Sequence, residues 1–245
     1  MSLPVHLVPS LVGVTAGSVV RVDGAEAHHA VVVRRLRAGE SLVLTDGVGG
    51  SALGEVVAAK NAFEVAVSSV RLDTRPEPEV VVVQAIPKGE RGELAVEVLT
   101  EVGAGVVVPW AAARCVAVWK GDRATKSLAR WRSTAREAAK QARRTWHPQV
   151  TDLATTATVV DLVASADLAV VLHEASSAAL ASLPVPATGR VVVVVGPEGG
   201  LTDDEVATLT AAGAVSVRLG TEVLRTSTAG VAAVAALLAR TPRWS

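Results

Sequence analysis

Residues 191–195 are five valines in a row, and they lead directly into Gly196-Pro197-Glu198-Gly199-Gly200 and then Leu201-Thr202-Asp203-Asp204-Glu205-Val206. Such a run reads as a strand buried on both faces, and the glycine turn after it lies at the strand's carboxyl end, where open α/β sheets bind ligands. A helix starts at once. Thr202 and Glu205 have capping-box spacing, and Asp203, Asp204 and Glu205 put negative charge in the first turn, where the helix dipole favours it. The same acids make the turn a poor phosphate cradle. A P-loop needs Lys followed by Ser or Thr after its second glycine, and a dinucleotide fingerprint needs Gly-x-Gly-x-x-Gly; Gly196, Gly199 and Gly200 supply neither. The expected ligand lacks a phosphate, unless the glycines serve only to make a tight turn.

Two more strand ends carry similar punctuation: residues 167–172 run into His173-Glu174, and a strand ending in Leu219-Gly220 leads into Val223-Leu224-Arg225-Thr226. Further motifs are Ile86-Pro87-Lys88-Gly89, Thr100-Glu101-Val102-Gly103, Arg114-Cys115-Val116, the stretch 136–141 and the stretch 28–50. Together they resemble the knotted methyltransferases of the SPOUT superfamily, and within it the ribosomal RNA small subunit methyltransferase E family. The Gly-Pro-Glu-Gly-Gly turn and the Leu-Arg-Thr-x-Thr-Ala pattern at 224–229 are the most specific marks, and the resemblance spans nearly the whole chain.

The resemblance implies an α/β fold, a trefoil-knotted parallel-sheet domain preceded by a small PUA-like β-barrel, assembled as a homodimer. It implies S-adenosylmethionine-dependent methylation of N3 of a specific uridine in small-subunit (16S) ribosomal RNA. It also places the cofactor near Leu172, His173, Gly196, Glu198, Gly199, Gly200, Leu219, Gly220, Leu224 and Thr226. One departure stands out: Ser227 lies between Thr226 and Thr228 where many relatives have Glu, which speaks against that acid being a required base.

Composition sets separate limits. The single cysteine, Cys115, excludes internal disulfides and a cysteine-based zinc site. His28 and His29 lack the cysteine or acidic partners of a metal centre, so none is expected. The first residues carry no basic region and are broken by Pro4, His6 and Pro9, which argues against a signal peptide. The uncharged apolar run 229–239 is far short of the roughly 20 residues of a membrane span. A cytoplasmic protein with no membrane partner is expected.

Formal net charge is zero, yet its distribution is uneven. Residues 110–150 hold ten basic and two acidic side chains, whereas 73–109 hold three and seven and 151–245 hold five and nine. A helix is expected over about 123–144, with Arg132, Arg136, Lys140 and Arg143 within one arc and Leu128, Trp131, Ala135, Ala138, Ala139 and Ala142 on another. Four of the five tryptophans, Trp110, Trp119, Trp131 and Trp146, lie in the same region. Cations neutralise phosphates and aromatic rings stack on splayed bases, so this segment has the ingredients of an RNA surface. Its expected members are Arg114, Arg132, Arg136, Lys140, Arg143 and Arg144, joined by Arg34 and Arg35 from an early helical stretch, 27–36. Trp131 reads as core, and Trp119 and Trp146 as stacking candidates or as rings buried between subunits. A merely solvated basic face is the competing reading.

Organisation along the chain supports two domains, 1–72 and 73–245. Short strands punctuated by glycine turns fill 19–72 and read as a small β-barrel. Arg75-Pro76-Glu77-Pro78-Glu79 forms a stiff linker, and strands then alternate with helices, as a parallel sheet requires.

Methyl transfer to uracil N3 needs in-line approach and loss of the imide proton. Arg225 cannot be a base, because its guanidinium stays protonated, but it can stabilise charge on the uracil oxygens. Glu198 is either a base or a holder of its loop, and water could take the proton instead. Two other functions remain open on sequence: methylation of transfer RNA by a related knotted enzyme, and a ribosome assembly factor that binds RNA with a vestigial cofactor pocket.

Overall fold

The computed structural model describes residues 3–244. They pack as two compact units, one comprising the residues up to Arg75 with Ala139–His147, the other Pro76–Ala138 with the residues from Pro148 onward. The expected boundary after residue 72 falls just before the end of the first unit, and the return of Ala139–His147 to that unit had no counterpart in the sequence pattern.

In the first unit, β1 (Val5–Leu7), β2 (Val19–Val22), α1 (Gly24–His28), β3 (Ser41–Thr45), β4 (Gly50–Ala59) and β5 (Phe63–Leu72) follow in order, and the strands form one sheet, β1-β3-β4-β5-β2. Pairing is antiparallel except for β1 with β3. Leu42, Leu44, Phe63 and Val65 alternate inward and pack with Ala27 and Ala30. The stretch expected to be one helix over 27–36 is instead α1 followed by a π-helical turn, His29–Val33, and Arg35 has a left-handed backbone with φ of 57°.

Ala139–His147 is fastened to this sheet. Trp146 Nε1 donates to Asp73 O at 3.0 Å, Gly49 N to Thr145 O at 2.9 Å and His147 N to Gly47 O at 2.9 Å. A Cβ on Gly49, whose φ is 107°, would lie 2.8 Å from the Trp146 ring, so only glycine fits there. Beside it, Lys140 Nζ lies 2.9 Å from Glu26 Oε2, and His6 Nδ1 lies 2.9 Å from Glu26 Oε1. Burial opposes ionisation of Glu26, but the hydrogen bonds and charges of His6 and Lys140 outweigh it and hold the carboxyl down at about 2.

The second unit continues with β6 (Glu79–Ala85), α2 (Arg91–Val102), β7 (Val106–Trp110), α3 (Gly121–Gln141, whose last residues belong to the first unit), β8 (Gln149–Val150), α4 (Thr156–Ala164), β9 (Leu168–Leu172), β10 (Arg190–Val195), α5 (Asp203–Ala211), β11 (Val215–Val217) and α6 (Thr226–Leu238). The sheet order is β11-β9-β10-β6-β7-β8 and every neighbouring pair is parallel. The valine run is β10, between β9 and β6. Val191, Val193 and Val195 face Leu99 of α2 and Leu237 of α6, while Val192 and Val194 face Val159 of α4 and Leu209 of α5. Burial on both faces explains why the run never alternates. From β6 the chain steps outward through β7 and β8, then crosses to build β9, β10 and β11 on the other side, so the direction of winding reverses between β6 and β10. Ligands of open α/β sheets sit outside the carboxyl ends of strands at such a point.

Two boundaries differ from expectation. The basic helix ends at Gln141 and not near Arg144, because the chain turns there through Arg143 at φ 54°. The strand expected to reach Leu219-Gly220 stops at Val217, where it has run out of partners on β9.

Glu26→Gln removes an ionised acceptor that His6 and Lys140 share. A carboxyl depressed from 4.5 to about 2 adds stability at and above pH 4.5 that disappears as pH falls toward 2. The variant is expected to lose on the order of 3 kcal/mol at pH 7. Its deficit, followed by denaturant unfolding, should shrink steadily below pH 4.5.

Candidate functional site

Three strand ends of the second unit surround one cavity of about 610 Å³, within the usual range for small-molecule sites. Val195 of β10 runs into the turn Gly196–Gly200, closed by Gly200 N donating to Pro197 O at 2.9 Å. The capping box forms as expected: Thr202 Oγ1 accepts from Glu205 N, and Glu205 Oε2 accepts from Thr202 N. Glu205 is buried, and its other oxygen accepts Ala113 N at 2.8 Å. Glu198 Oε1 accepts Lys88 N at 3.1 Å, which pins the turn to the loop after β6.

β9 delivers Leu172, His173 and Glu174, and His173 N donates to Val217 O at 2.9 Å. The exposed stretch 220–225 then runs along the cavity to the start of α6. Arg225 is the N-cap, and its carbonyl accepts Thr228 N and Ala229 N, both at 2.9 Å. That leaves its exposed side chain on the cavity wall. Beneath it, the buried Thr226 has its carbonyl bonded by Gln84 Nε2 at 3.3 Å. Gln84 Nε2 also donates to Ala85 O at 3.1 Å, while Gln84 Oε1 is buried without a partner.

Every residue expected at the cofactor lines this cavity: Leu172, His173, Gly196, Glu198, Gly199, Gly200, Leu219, Gly220, Leu224 and Thr226, with Arg225 beside them. Four arginines, Arg91, Arg114, Arg218 and Arg225, and four acids, Glu174, Glu198, Asp203 and Glu222, share the wall. Arg91, Arg218 and Glu222 were not singled out on sequence, although each lies within a few residues of a site motif, and Asp203 was read only as a charge at the helix start. Gln84 was also missed, and its signal was plain: it is the single polar residue between Val80 and Ile86. Burial is the main cause raising the Cys115 thiol, with the charges of Glu198 and Glu205 adding to it, so its thiolate is disfavoured.

The basic residues do not form the expected stripe. Lys140 is buried and paired with Glu26, because a long cation next to an apolar face turns inward where an acid can receive it. Arg143 follows the helix end, and Arg144, also beyond it, is half-buried. Arg132 donates to Val150 O at 3.1 Å and to Asp152 at 2.9 Å, and Arg130 pairs with Glu93, so the compensating acids come from other elements. Arg136 is exposed on α3, and Arg34 and Arg35 are exposed in the first unit. Arg114 lies at the cavity, with its Nη1 donating to Gly199 O and Leu201 O. Trp131 is core as expected; the half-buried Trp119 packs edge-on against it at 5.0 Å, and the half-buried Trp146 donates its Nε1–H to Asp73 O. Among the described residues there is no group of three or more potential metal ligands, and no helix is long and apolar enough to cross a membrane.

A doubly covered parallel sheet with glycine turns at its carboxyl edge follows a small β unit in this chain, and each of the two matches a domain of RNA methyltransferases. Residues 75–238 match the model of the RNA methyltransferase domain and residues 22–68 that of the RNA methyltransferase PUA domain. The chain belongs to the ribosomal RNA small subunit methyltransferase E family. It is 47% identical to the Mycobacterium bovis member over 93% of this chain and 89% of that protein. To the Bacillus subtilis member it is 33% identical, over 88% of each. A Neisseria gonorrhoeae member solved with S-adenosylmethionine superposes with a TM-score of 0.86 at 26% identity, covering 97% of this chain and 98% of that one. A Legionella pneumophila protein, also solved with that cofactor, gives 0.89 at 27% identity over 98% and 99%.

Thr202→Ala removes the cap of the helix that follows the glycine turn. It should lower stability by about 1 kcal/mol with an unchanged denaturant slope, and Thr202→Ser should restore most of it.

Proposed function

We propose that this protein uses S-adenosylmethionine to methylate N3 of a specific uridine in small-subunit ribosomal RNA. The observation that carries this reading is the convergence of three strand ends and Arg225 on one cavity in a chain of this family. The cavity suits the cofactor. Gly200 has open space where a Cβ would stand and Gly220 has only Glu222 within 4 Å, so backbone can approach a ligand closely.

When bound, the cofactor supplies an electrophilic methyl group on a sulfonium. The chain's own task is to orient the uracil and manage one proton. Arg225 stays cationic and stabilises negative charge on the uracil oxygens as the N3 proton leaves. Glu198 holds its turn by accepting the Lys88 N–H on one oxygen, and in this reading water takes the proton. The bound cofactor would supply the methyl group and keep the sulfur bonding pair, and the N3 lone pair left by the departing proton would form the new bond.

For RNA, the reading rests on exposed guanidiniums: Arg136 on α3, and Arg34 and Arg35 beside the π-helical turn, none ion-paired among the described residues. The homodimer and the trefoil knot belong to the same proposal, and both are supported by membership of the family.

Purified protein should transfer labelled methyl groups to small-subunit RNA, or to subunits lacking the mark, and mass spectrometry should find the label on uridine N3. Arg225→Ala should lower kcat about 10²–10³-fold while calorimetry shows cofactor affinity retained. Wild-type protein that binds the cofactor yet labels no ribosomal RNA in any assembly state would overturn the reading, and label entering transfer RNA would reassign the substrate. Separately, Arg136→Glu and the pair Arg34→Glu with Arg35→Glu should weaken RNA binding and flatten its salt dependence, leaving cofactor affinity unchanged.

A further inference from the structure

The segment between β7 and α3 does more than connect them. After Trp110, which is buried and paired in register with Ala85 of β6, the chain makes a tight turn in which Cys115 N donates to Ala112 O at 3.1 Å. Ala113 and Arg114 in this turn face the glycine turn and the start of α5, and the two segments grip each other in both directions. Ala113 N donates to the buried carboxylate of Glu205, while Arg114 Nη1 donates to the carbonyls of Gly199 at 3.4 Å and Leu201 at 3.1 Å. The backbones are close enough that a Cβ on Gly199 would lie 3.1 Å from Arg114 Cβ and 3.2 Å from Arg114 O.

Glu205 does more here than a capping box requires. One oxygen completes the box with Thr202, and the second reaches outside the helix to Ala113. A buried carboxylate needs such donors, since without them burial would favour its neutral form. On the opposite side, the Arg114 guanidinium faces backbone carbonyls, and among the described residues it has no ion pair. A charge-assisted bond to a carbonyl is stronger than a neutral one, so the carbonyl of Gly199 in the turn and that of Leu201 just after it are held in one orientation.

We propose that Arg114, braced through Ala113 by Glu205, is a positioning residue that sets the shape of the Gly196–Gly200 turn for cofactor binding, and that it is not a contact to RNA. This deepens the proposed function and rests on it. A turn of this composition has many accessible backbone states, and fixing it before the ligand arrives removes an ordering cost from binding. The effect belongs in cofactor affinity, because Arg114 acts through the turn and need not touch the reacting atoms.

The test compares Arg114→Met, which keeps the stem and removes the donors, with Arg114→Lys, which keeps a cation. Arg114 is exposed, so both variants should fold, with thermal unfolding as the check. Arg114→Met is expected to raise the Kd and KM for S-adenosylmethionine about tenfold, leaving kcat at saturating cofactor, RNA affinity and the salt slope of RNA binding near wild type. Arg114→Lys should recover part of the loss. Glu205→Gln, which keeps the side chain's shape, should weaken cofactor binding too, and combining it with Arg114→Met should cost less than the two effects added, as expected for neighbours in one brace.

Unchanged cofactor affinity in Arg114→Met would overturn the proposal. If the salt slope of RNA binding also fell by about one charge, Arg114 would be an RNA contact. Failure of the wild-type protein to bind the cofactor at all would instead count against the proposed function itself.

Discussion

Burial of β10 on both faces is the constraint on which the rest of the second unit depends. A strand covered by α2 and α6 on one side and by α4 and α5 on the other can end only at the edge of the sheet, and there the backbone meets solvent for the first time. Because β9 and β6 run parallel beside it, their ends reach the same edge. The cavity lies beyond the ends of β10, β9 and β11, on one side of the point where the winding direction reverses. Apolar burial on this scale, at roughly 25 cal/mol per Å², dwarfs any single polar contact in the site. The polar contacts therefore choose among loop conformations on a platform already made.

That hierarchy explains what could be read from residues alone. The valine run, the capping box of α5 and the strand-helix alternation are local patterns, and the structure reproduces them almost residue for residue. Arg91–Val102 is the first helix of that alternation, and the expected cofactor residues share one wall because they sit at the ends of β9 and β10 or on the segment that leads from β11 into α6. The early helix and the basic helix were less legible. Local periodicity cannot show that a chain will pass into a π-helical turn at His29 or change direction at Arg143, since partners distant in sequence decide both.

The basic segment shows the same limit for charge. Arg132, Arg136 and Lys140 repeat at helical spacing, but their environments diverge: one bonded to Asp152, one exposed, and one buried against Glu26 from the opposite end of the chain. Spacing along a helix gives direction and says nothing of what waits there. Arg114 carries the same lesson at the site, where a cation grouped with the RNA surface proves to be bonded to the carbonyls of Gly199 and Leu201.

Gln84 has a consequence of a different kind. Both donors of its amide serve carbonyls, one on its own strand and one at the first residue of α6, while its oxygen stays idle in the core. An idle buried acceptor costs about 1–3 kcal/mol. The strand next to the valine run thus gives up stability to fix where α6 begins, and with it the residue that caps that helix. No carboxylate could stand in, since its oxygens would face the two carbonyls with no hydrogen to share, and no aliphatic side chain could hold Thr226. The amide works as a one-way fastener between a buried sheet and an exposed loop, and it keeps the Arg225 corner of the cavity in register with the valine core.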